Sequence, residues 1–307
     1  MDIKAVQEYL GKDWIAVKER INSALCSDIA LLNSTNESIL SHSGKQMRPM
    51  LGLLIARACS VDQVCDSTIS FAAASELLHN ATLLHDDVAD GSVKRRGAPT
   101  IMSLMGPSVS VLVGDYWLVK AMDLIIDADG DSCVMKIFSK TLKDLAEGEM
   151  LQLQKAQKGD TDENDYLRII YSKTASLFEA ASVSAAISVG ASEAYVQAAR
   201  DYAVSLGIAF QIQDDILDVE TLGCHLMTYL SARYPDALKQ GYKLPALQER
   251  EEDENDVAYG YRLLQAGAQR RGMRISGGDF DTERMARVLL DEYRAGKLGR
   301  FTLEMPE

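Results

Sequence analysis

The chain has 307 residues, of which 47% are apolar and 25% charged, and a formal net charge of -13 at pH 7. That is enough apolar material for one large buried core or two smaller ones. No apolar run approaches the ~18 residues that a bilayer-spanning helix needs, and residues 1–20 have no basic-then-apolar signal layout, so a disordered or membrane-spanning chain is excluded and a cytoplasmic protein is expected. The acidic excess sits in front: residues 1–220 carry 19 basic against 31 acidic side chains, and residues 221–307 carry 13 against 14. The front part should therefore repel nucleic acid. Five scattered cysteines (Cys26, Cys59, Cys65, Cys133, Cys224) form no CxxC pair, which predicts core thiols rather than a disulfide framework or a zinc site.

Prolines number six, and apolar residues recur at three- and four-residue steps in segment after segment, as in Leu77, Leu78, Ala81, Leu84 and Val88. This predicts an all-α fold with strands a minor component. In chain order the pattern predicts helices over 4–32, 45–59, 66–89, 108–126, 130–154, 163–189, 192–219, 224–232, 257–271 and 281–295. Gly and Asp clusters at 127–130 and 159–162 mark breaks. Near residue 220 an apolar, Ala-rich texture gives way, without a linker, to short segments rich in Tyr, Arg and Glu, with the strongest polar stretch at 248–256. An acidic run at Asp279, Asp281 and Glu283 predicts a helix start, and Gly296 a helix stop. Two domains are expected, 1–219 and 220–307, the second a small helical module.

Two acidic clusters end predicted helices. LLHDDVADG carries Asp86, Asp87 and Asp90; QIQDDILDVE repeats the spacing with Asp214, Asp215 and Asp218. Positions i and i+4 share a helix face, so each cluster aims at least two carboxylates in one direction. Gathered carboxylates repel and call for cations, and hard oxygen ligands suit Mg²⁺, which also takes phosphate oxygens. A single such cluster is more often a solvated acidic face. Two clusters of one grammar, both amid apolar residues, point instead to metal binding. Cations for a diphosphate lie nearby in sequence: Lys45 and Arg48 in GKQMRP, Lys94, Arg95 and Arg96 in VKRRG, and Lys173 with Thr174 in YSKTA. Singly, each reads as a surface charge sooner than as a phosphate ligand, and His79 as a satisfied core histidine sooner than as a substrate ligand.

The set GKQMRP, ELLHNATLLHDDVADGSVKRRGAPT, VLVGDYWL, GEMLQL, KTASLF and GIAFQIQDDILD resembles, in order and spacing, the motifs of the trans-isoprenyl diphosphate synthase (polyprenyl synthetase) family over about residues 15–219. The resemblance implies an isoprenoid synthase helical bundle and a Mg²⁺-dependent prenyltransferase acting as a homodimer. It implies that Asp86, Asp87, Asp90, Asp214, Asp215 and Asp218 hold three Mg²⁺. Gly44, Lys45, Arg48, His79 and Arg96 would bind isopentenyl diphosphate, and Arg95, Lys173, Thr174 and Gln211 the allylic diphosphate. Ala81 and Thr82, five and four residues before Asp86, would line the tunnel for the growing chain. Neither is aromatic, which implies a product of twenty or more carbons. A terpene cyclase of the same superfamily is disfavoured, since Lys45, Arg48 and Arg96 would then have no isopentenyl diphosphate to bind.

Beyond residue 219 the family's further motifs are not recognisable, which implies a truncated bundle. Instead VETLGCHLMTYLSARYPDALKQGYKLP and RRGMRISGGDFDTERMARVLLDEYRAGKLGRFTLE resemble the C-terminal helical domain of the ribosome biogenesis GTPase A family, over about residues 220–304. No GxxxxGK[ST] phosphate loop accompanies it, so no GTP site is expected. This resemblance implies RNA or ribosome contact through Arg270, Arg271, Arg274, Lys297 and Arg300, with a solvated basic rim as the plainer reading. A fusion protein with impaired catalysis and a ribosome-binding tail is thus the alternative to an active prenyltransferase.

Overall fold

The structure is a computed structural model that describes residues 3–60, 64–95, 98–130, 133–158, 160–217, 219–242, 250–251, 254–275 and 278–298, with backbone alone at 216, 217 and 294. Helices dominate it. The first expected helix, 4–32, is instead two: α1 (Ile3–Leu10) and α2 (Lys12–Ala24). Gly11, at φ +53, makes the break in a backbone region that only glycine enters cheaply. An unpredicted helix follows, α3 (Ala30–Ser41). Asn33 closes the loop before it, its side chain accepting from Ser27 N at 3.0 Å and donating to Ser27 O at 2.7 Å. Next come α4 (Met47–Cys59) and α5 (Asp66–Ala89), a two-residue hairpin of β1 (Lys94–Arg95) and β2 (Ala98–Pro99), then α6 (Ile101–Met105), α7 (Pro107–Ala128) and α8 (Cys133–Lys158). The expected helix 163–189 is also divided. It runs as α9 (Glu163–Ile170), a π-helical turn (Tyr171–Ala175) and α10 (Ser176–Ser188). The last of this series is α11 (Glu193–Leu217).

α5 is the centre of the first core. Every residue from Thr68 to Leu78 is buried, because α2, α4, α7 and α10 pack around the helix. Leu10, Trp14, Val17, Leu53, Phe71, Leu77, Leu78, Trp117, Ile125 and Phe138 join in one cluster. Trp117 Nε1 donates to Asn36 Oδ1 at 2.8 Å, and Asn36 Nδ2 donates to Leu25 O at 3.0 Å. A buried polar residue is thus satisfied, as burial requires, and α3 is pinned to α7.

The remainder comprises α12 (Val219–Arg233), α13 (Pro235–Tyr242), α14 (Asp256–Arg270) and α15 (Thr282–Arg294); α13 was not expected from the sequence. The N-caps of α14 and α15 are Asn255 and Asp281, each accepting a backbone N–H at 2.9 Å, and Gly296 at φ +65 ends α15 as its type predicts. Met227, Leu230, Leu238, Tyr242, Leu263, Leu264, Met285 and Leu289 form a second core. The chain divides into two compact units, residues 1–211 and 212–307, with the division inside α11. All five cysteines are free, but the expectation of core thiols holds fully for Cys224 alone: Cys26 and Cys133 are exposed and Cys59 and Cys65 half-buried. Among the described residues no helix is long and apolar enough to cross a membrane.

Candidate active site

The C-terminal end of α5 carries the first acidic cluster. The helix stops at Ala89, Asp90 is its C-cap, and Gly91 at φ +63 turns the chain into the hairpin. Adjacent helical residues lie about 100° apart, so Asp86 and Asp87 face different neighbours. Asp87 is 4% exposed, and Arg95 Nε donates to its Oδ1 at 2.8 Å. On the same face Asn80, Leu83 and Leu84 line, with Ser38 of α3 and His42 just beyond its end, a cavity of about 120 Å³.

Asp86 is half-buried, and its carboxyl is pushed up to about 6. Burial is the main cause, the carboxylates of Glu149 and Asp90 add to it, and Lys173 and Arg95 partly offset them. Asp86, Asp90 and Glu149 thus share one site with Lys173 and Arg95, and burial is the chief reason that Asp86 holds its proton more tightly than an ordinary carboxyl. Lys173 Nζ lies 2.8 Å from Glu149 Oε1 and donates to Gln152 Oε1 at 3.4 Å. Its neighbour Thr174 is buried and donates to Gln211 Oε1 at 2.5 Å. Both sit in the π-turn, where an inserted residue re-aims side chains, a device common at functional sites.

Gly44 and the exposed Lys45 occupy the loop before α4, whose N-cap Gln46 is left-handed at φ 51. Arg48, in the first turn of α4, lays its guanidinium 4.7 Å from the ring centroid of Phe178. His79 is half-buried on α5. Ala81 is fully buried in the first core, and the half-buried Thr82 donates its hydroxyl to His79 O at 2.8 Å. Asp214 and Asp215 stand exposed in the last turn of α11, within the second unit. Arg96, Asp218 and Arg300 lie outside the described residues.

The structure thus draws Asp86, Asp90, Arg95 and Lys173 into one electrostatic group and joins Thr174 to Gln211. Sequence reasoning missed two members, Glu149 and Gln152. The signal was present in GEMLQL, where residues three apart share a helix face.

These motifs match a family model described as polyprenyl synthetase over residues 29–223. The chain belongs to the polyprenyl synthetase family. Curated relatives include an all-trans-nonaprenyl-diphosphate synthase (geranyl-diphosphate specific) of Rhodobacter capsulatus, 42% identical over 70% of this chain and 66% of that protein. The octaprenyl diphosphate synthase of Escherichia coli is 39% identical over 73% of this chain and 68% of that protein. The chain thus spans about two thirds of the length of these enzymes, which are prenyl diphosphate synthases. Among solved structures, a decaprenyl diphosphate synthase from Rhodobacter capsulatus is similar with TM-score 0.68 and 30% identity, over 94% of this chain and 97% of that one. A polyprenyl synthase from Caulobacter crescentus, complexed with calcium and isoprenyl diphosphate, gives TM-score 0.69 and 28% identity over 97% of this chain and 98% of that one. The family-model match ends at residue 223, whereas the structural likeness covers nearly the whole chain, and the family accounts for an enzyme of the prenyltransferase class.

Among the described residues no group of three or more His, Cys, Asp or Glu is arranged to hold a metal ion. Asp87 is turned to Arg95 and Glu149 to Lys173, which disperses the carboxylates. The donor chemistry nevertheless fits a hard divalent cation: oxygen donors, and an Asp86 carboxyl raised by burial first and then by neighbouring negative charge, both of which a cation would offset.

Proposed function

We propose that the chain is a cytoplasmic, Mg²⁺-dependent prenyltransferase that condenses isopentenyl diphosphate with an allylic diphosphate. The observation that carries this reading is the crowding of Asp86 by Asp90 and Glu149 with Lys173 alongside, in a chain of this family. Asp86, Asp87 and Asp90, with Asp214, Asp215 and Asp218, are proposed to hold the Mg²⁺ ions, three in the full complement, with Asp87 exchanging its pair with Arg95 for the metal. Bound Mg²⁺ supplies positive charge to the leaving diphosphate. Lys173, Thr174, Gln211 and Arg95 bind and orient the allylic diphosphate, as donors aimed at the charge that develops there. Gly44, Lys45, Arg48, His79 and Arg96 place isopentenyl diphosphate. The allylic C–O bond breaks with its electrons going to diphosphate, the isopentenyl double bond attacks the resulting cation, and a proton lost to the departing diphosphate restores the alkene. The apolar walls of the first core exclude water, which would otherwise quench the cation.

A homodimer is part of this proposal. Leu112, Val119 and Ile126 recur every seventh residue on α7 and are 68%, 55% and 56% exposed, an apolar stripe suited to a second copy. For residues 220–307 we propose a helical module of its own. Two of the basic side chains named for the ribosome-contact alternative are engaged within the module: Arg271 is forked onto Glu292 at 2.9 and 3.0 Å, and Arg274 stacks on Phe280.

The test is condensation of radiolabelled isopentenyl diphosphate with geranyl or farnesyl diphosphate, with Mg²⁺ and with chelator. Product with Mg²⁺ alone is expected, and no product in either condition sinks the reading. The same assay sizes the product, for which we expect twenty carbons or more. Ala81→Phe is expected to shift the distribution toward fifteen carbons, since one isoprene unit spans about one helical turn. Because Ala81 is fully enclosed, the ring displaces either the growing tail or a neighbouring side chain. A variant that melts like wild type and keeps the wild-type distribution removes Ala81 from the tunnel.

A further inference from the structure

The turn Tyr171–Ala175 departs from the α-helical hydrogen-bond register by one inserted residue. A π-turn is rarer and less stable than α-helix, so its surroundings must select it. Two glycines make room. A Cβ on Gly148 of α8 would stand 2.5 Å from Ser172 Cβ, and one on Gly207 of α11 would stand 2.5 Å from Ala175 Cα. Room alone does not choose the register.

A hydrogen bond does. Tyr171 donates its hydroxyl to Glu179 Oε2 at 2.8 Å, across eight residues. In an uninterrupted α-helix, residues eight apart point about 80° away from each other at 100° per residue; one inserted residue removes a step and leaves about 20°. The bond therefore belongs to the π register and breaks in the α register. Glu179 is 8% exposed in a helix otherwise of apolar and small residues, a placement rare for a carboxylate without a task. Its other oxygen pairs with Arg200 of α11. Lys140 of α8, itself 2.6 Å from Asp144, donates to the Tyr171 hydroxyl at 3.2 Å. The network ties the turn to both flanking helices.

We propose that Glu179, acting through Tyr171, is a positioning residue that selects the π register and so aims Lys173 and Thr174 at the allylic diphosphate. The inference rests on the proposed roles of Lys173 and Thr174. A return to the α register rotates one side of the turn by about 100° against the other, which carries Lys173 away from Glu149 and Gln152 or Thr174 away from Gln211.

The variants Tyr171→Phe, Glu179→Ala, Glu179→Gln and the double Tyr171→Phe/Glu179→Ala test this. Amide hydrogen exchange over residues 171–175 is expected to quicken about tenfold in Tyr171→Phe and Glu179→Ala, the scale of one lost hydrogen bond to a charged group, and to stay near wild type in Glu179→Gln, which keeps an acceptor for the hydroxyl. The KM for the allylic substrate should rise about tenfold, with the KM for isopentenyl diphosphate within about twofold, and the double variant should be no worse than Glu179→Ala alone. Unchanged exchange in Tyr171→Phe overturns the proposal, as do equal rises in both KM values or additive losses in the double variant. Should Glu179→Ala melt early, Tyr171→Phe, which deletes one hydroxyl, decides. If the wild type makes no product, the catalytic reading fails on that result, and the exchange comparison still decides the register proposal.

Discussion

Asp86→Asn is expected to lower turnover at least about a thousandfold and, in the absence of divalent cations, to make the protein more stable at neutral pH. The first effect is the loss of a proposed Mg²⁺ ligand from the point where leaving-group charge develops. The second follows from the carboxyl being raised from its ordinary 3.8 to about 6 in the folded protein, by burial first and then by Glu149 and Asp90. Between those two pH values the folded chain binds more protons than the unfolded chain, so metal-free stability falls as pH rises from about 4 to about 6 and stays lowered above it. Asparagine removes that dependence. The variant and the wild type should therefore melt alike near pH 4, and the variant higher near pH 7.5, in chelator. Mg²⁺ should stabilise the wild type more than the variant, because a ligand that binds the folded form raises its stability by mass action. Turnover within threefold of wild type, or a lower melting midpoint at pH 7.5 in chelator, contradicts the assignment.

The same residue shows what was legible in the sequence. The two DDxxD clusters could be read because i, i+4 spacing fixes a shared helix face whatever the tertiary context. Which neighbour each carboxylate meets could not, since Arg95 comes to Asp87 through a hairpin and Glu149 comes to Asp86 from α8. α3 was missed because its sequence, ALLNSTNESILS, buries Thr35 and Asn36 where an apolar stripe is the usual signal. The bonds to Leu25 O and from Trp117, 81 residues on, make Asn36 a core residue. The π-turn was hidden for a similar reason: YSKTA has no propensity that distinguishes it, Gly148 and Gly207 make room for it from other helices, and Glu179 selects it from the far side of the turn. A signal for Glu179 did exist, a lone carboxylate inside SLFEAASVSAAIS, where an unpaired charge would be costly.

The other large effect concerns the second unit. Gly260→Ala is expected to destabilise it by about 3 kcal/mol or more, although glycine to alanine inside a helix ordinarily gains about 1 kcal/mol. The sign reverses because α14 lies backbone to backbone on α12: a Cβ at Gly260 would stand 2.1 Å from the Cys224 carbonyl oxygen and 2.5 Å from its carbon. Backbone cannot swing aside as a side-chain tip can, so the helices must part. Parting them costs more than one contact, since a Cβ at Gly223 of α12 would stand 2.5 Å from Ala286 Cβ and one at Gly267 of α14 would stand 2.9 Å from Met285 Cε, so the glycines on both helices mark close packing. Spectroscopy can separate the units. Both tryptophans, Trp14 and Trp117, lie in residues 1–211, whereas the twelve tyrosines divide evenly, six in residues 1–211 and six in residues 212–307. If the back region is a module of its own, Gly260→Ala should split an earlier step from the melting transition seen by tyrosine circular dichroism, to which both units contribute, and leave the tryptophan fluorescence transition within a few degrees of wild type. Tryptophan and tyrosine transitions that fall together make the chain one cooperative block, and a variant as stable as wild type means that α12 and α14 stand further apart than the Gly260 contact requires.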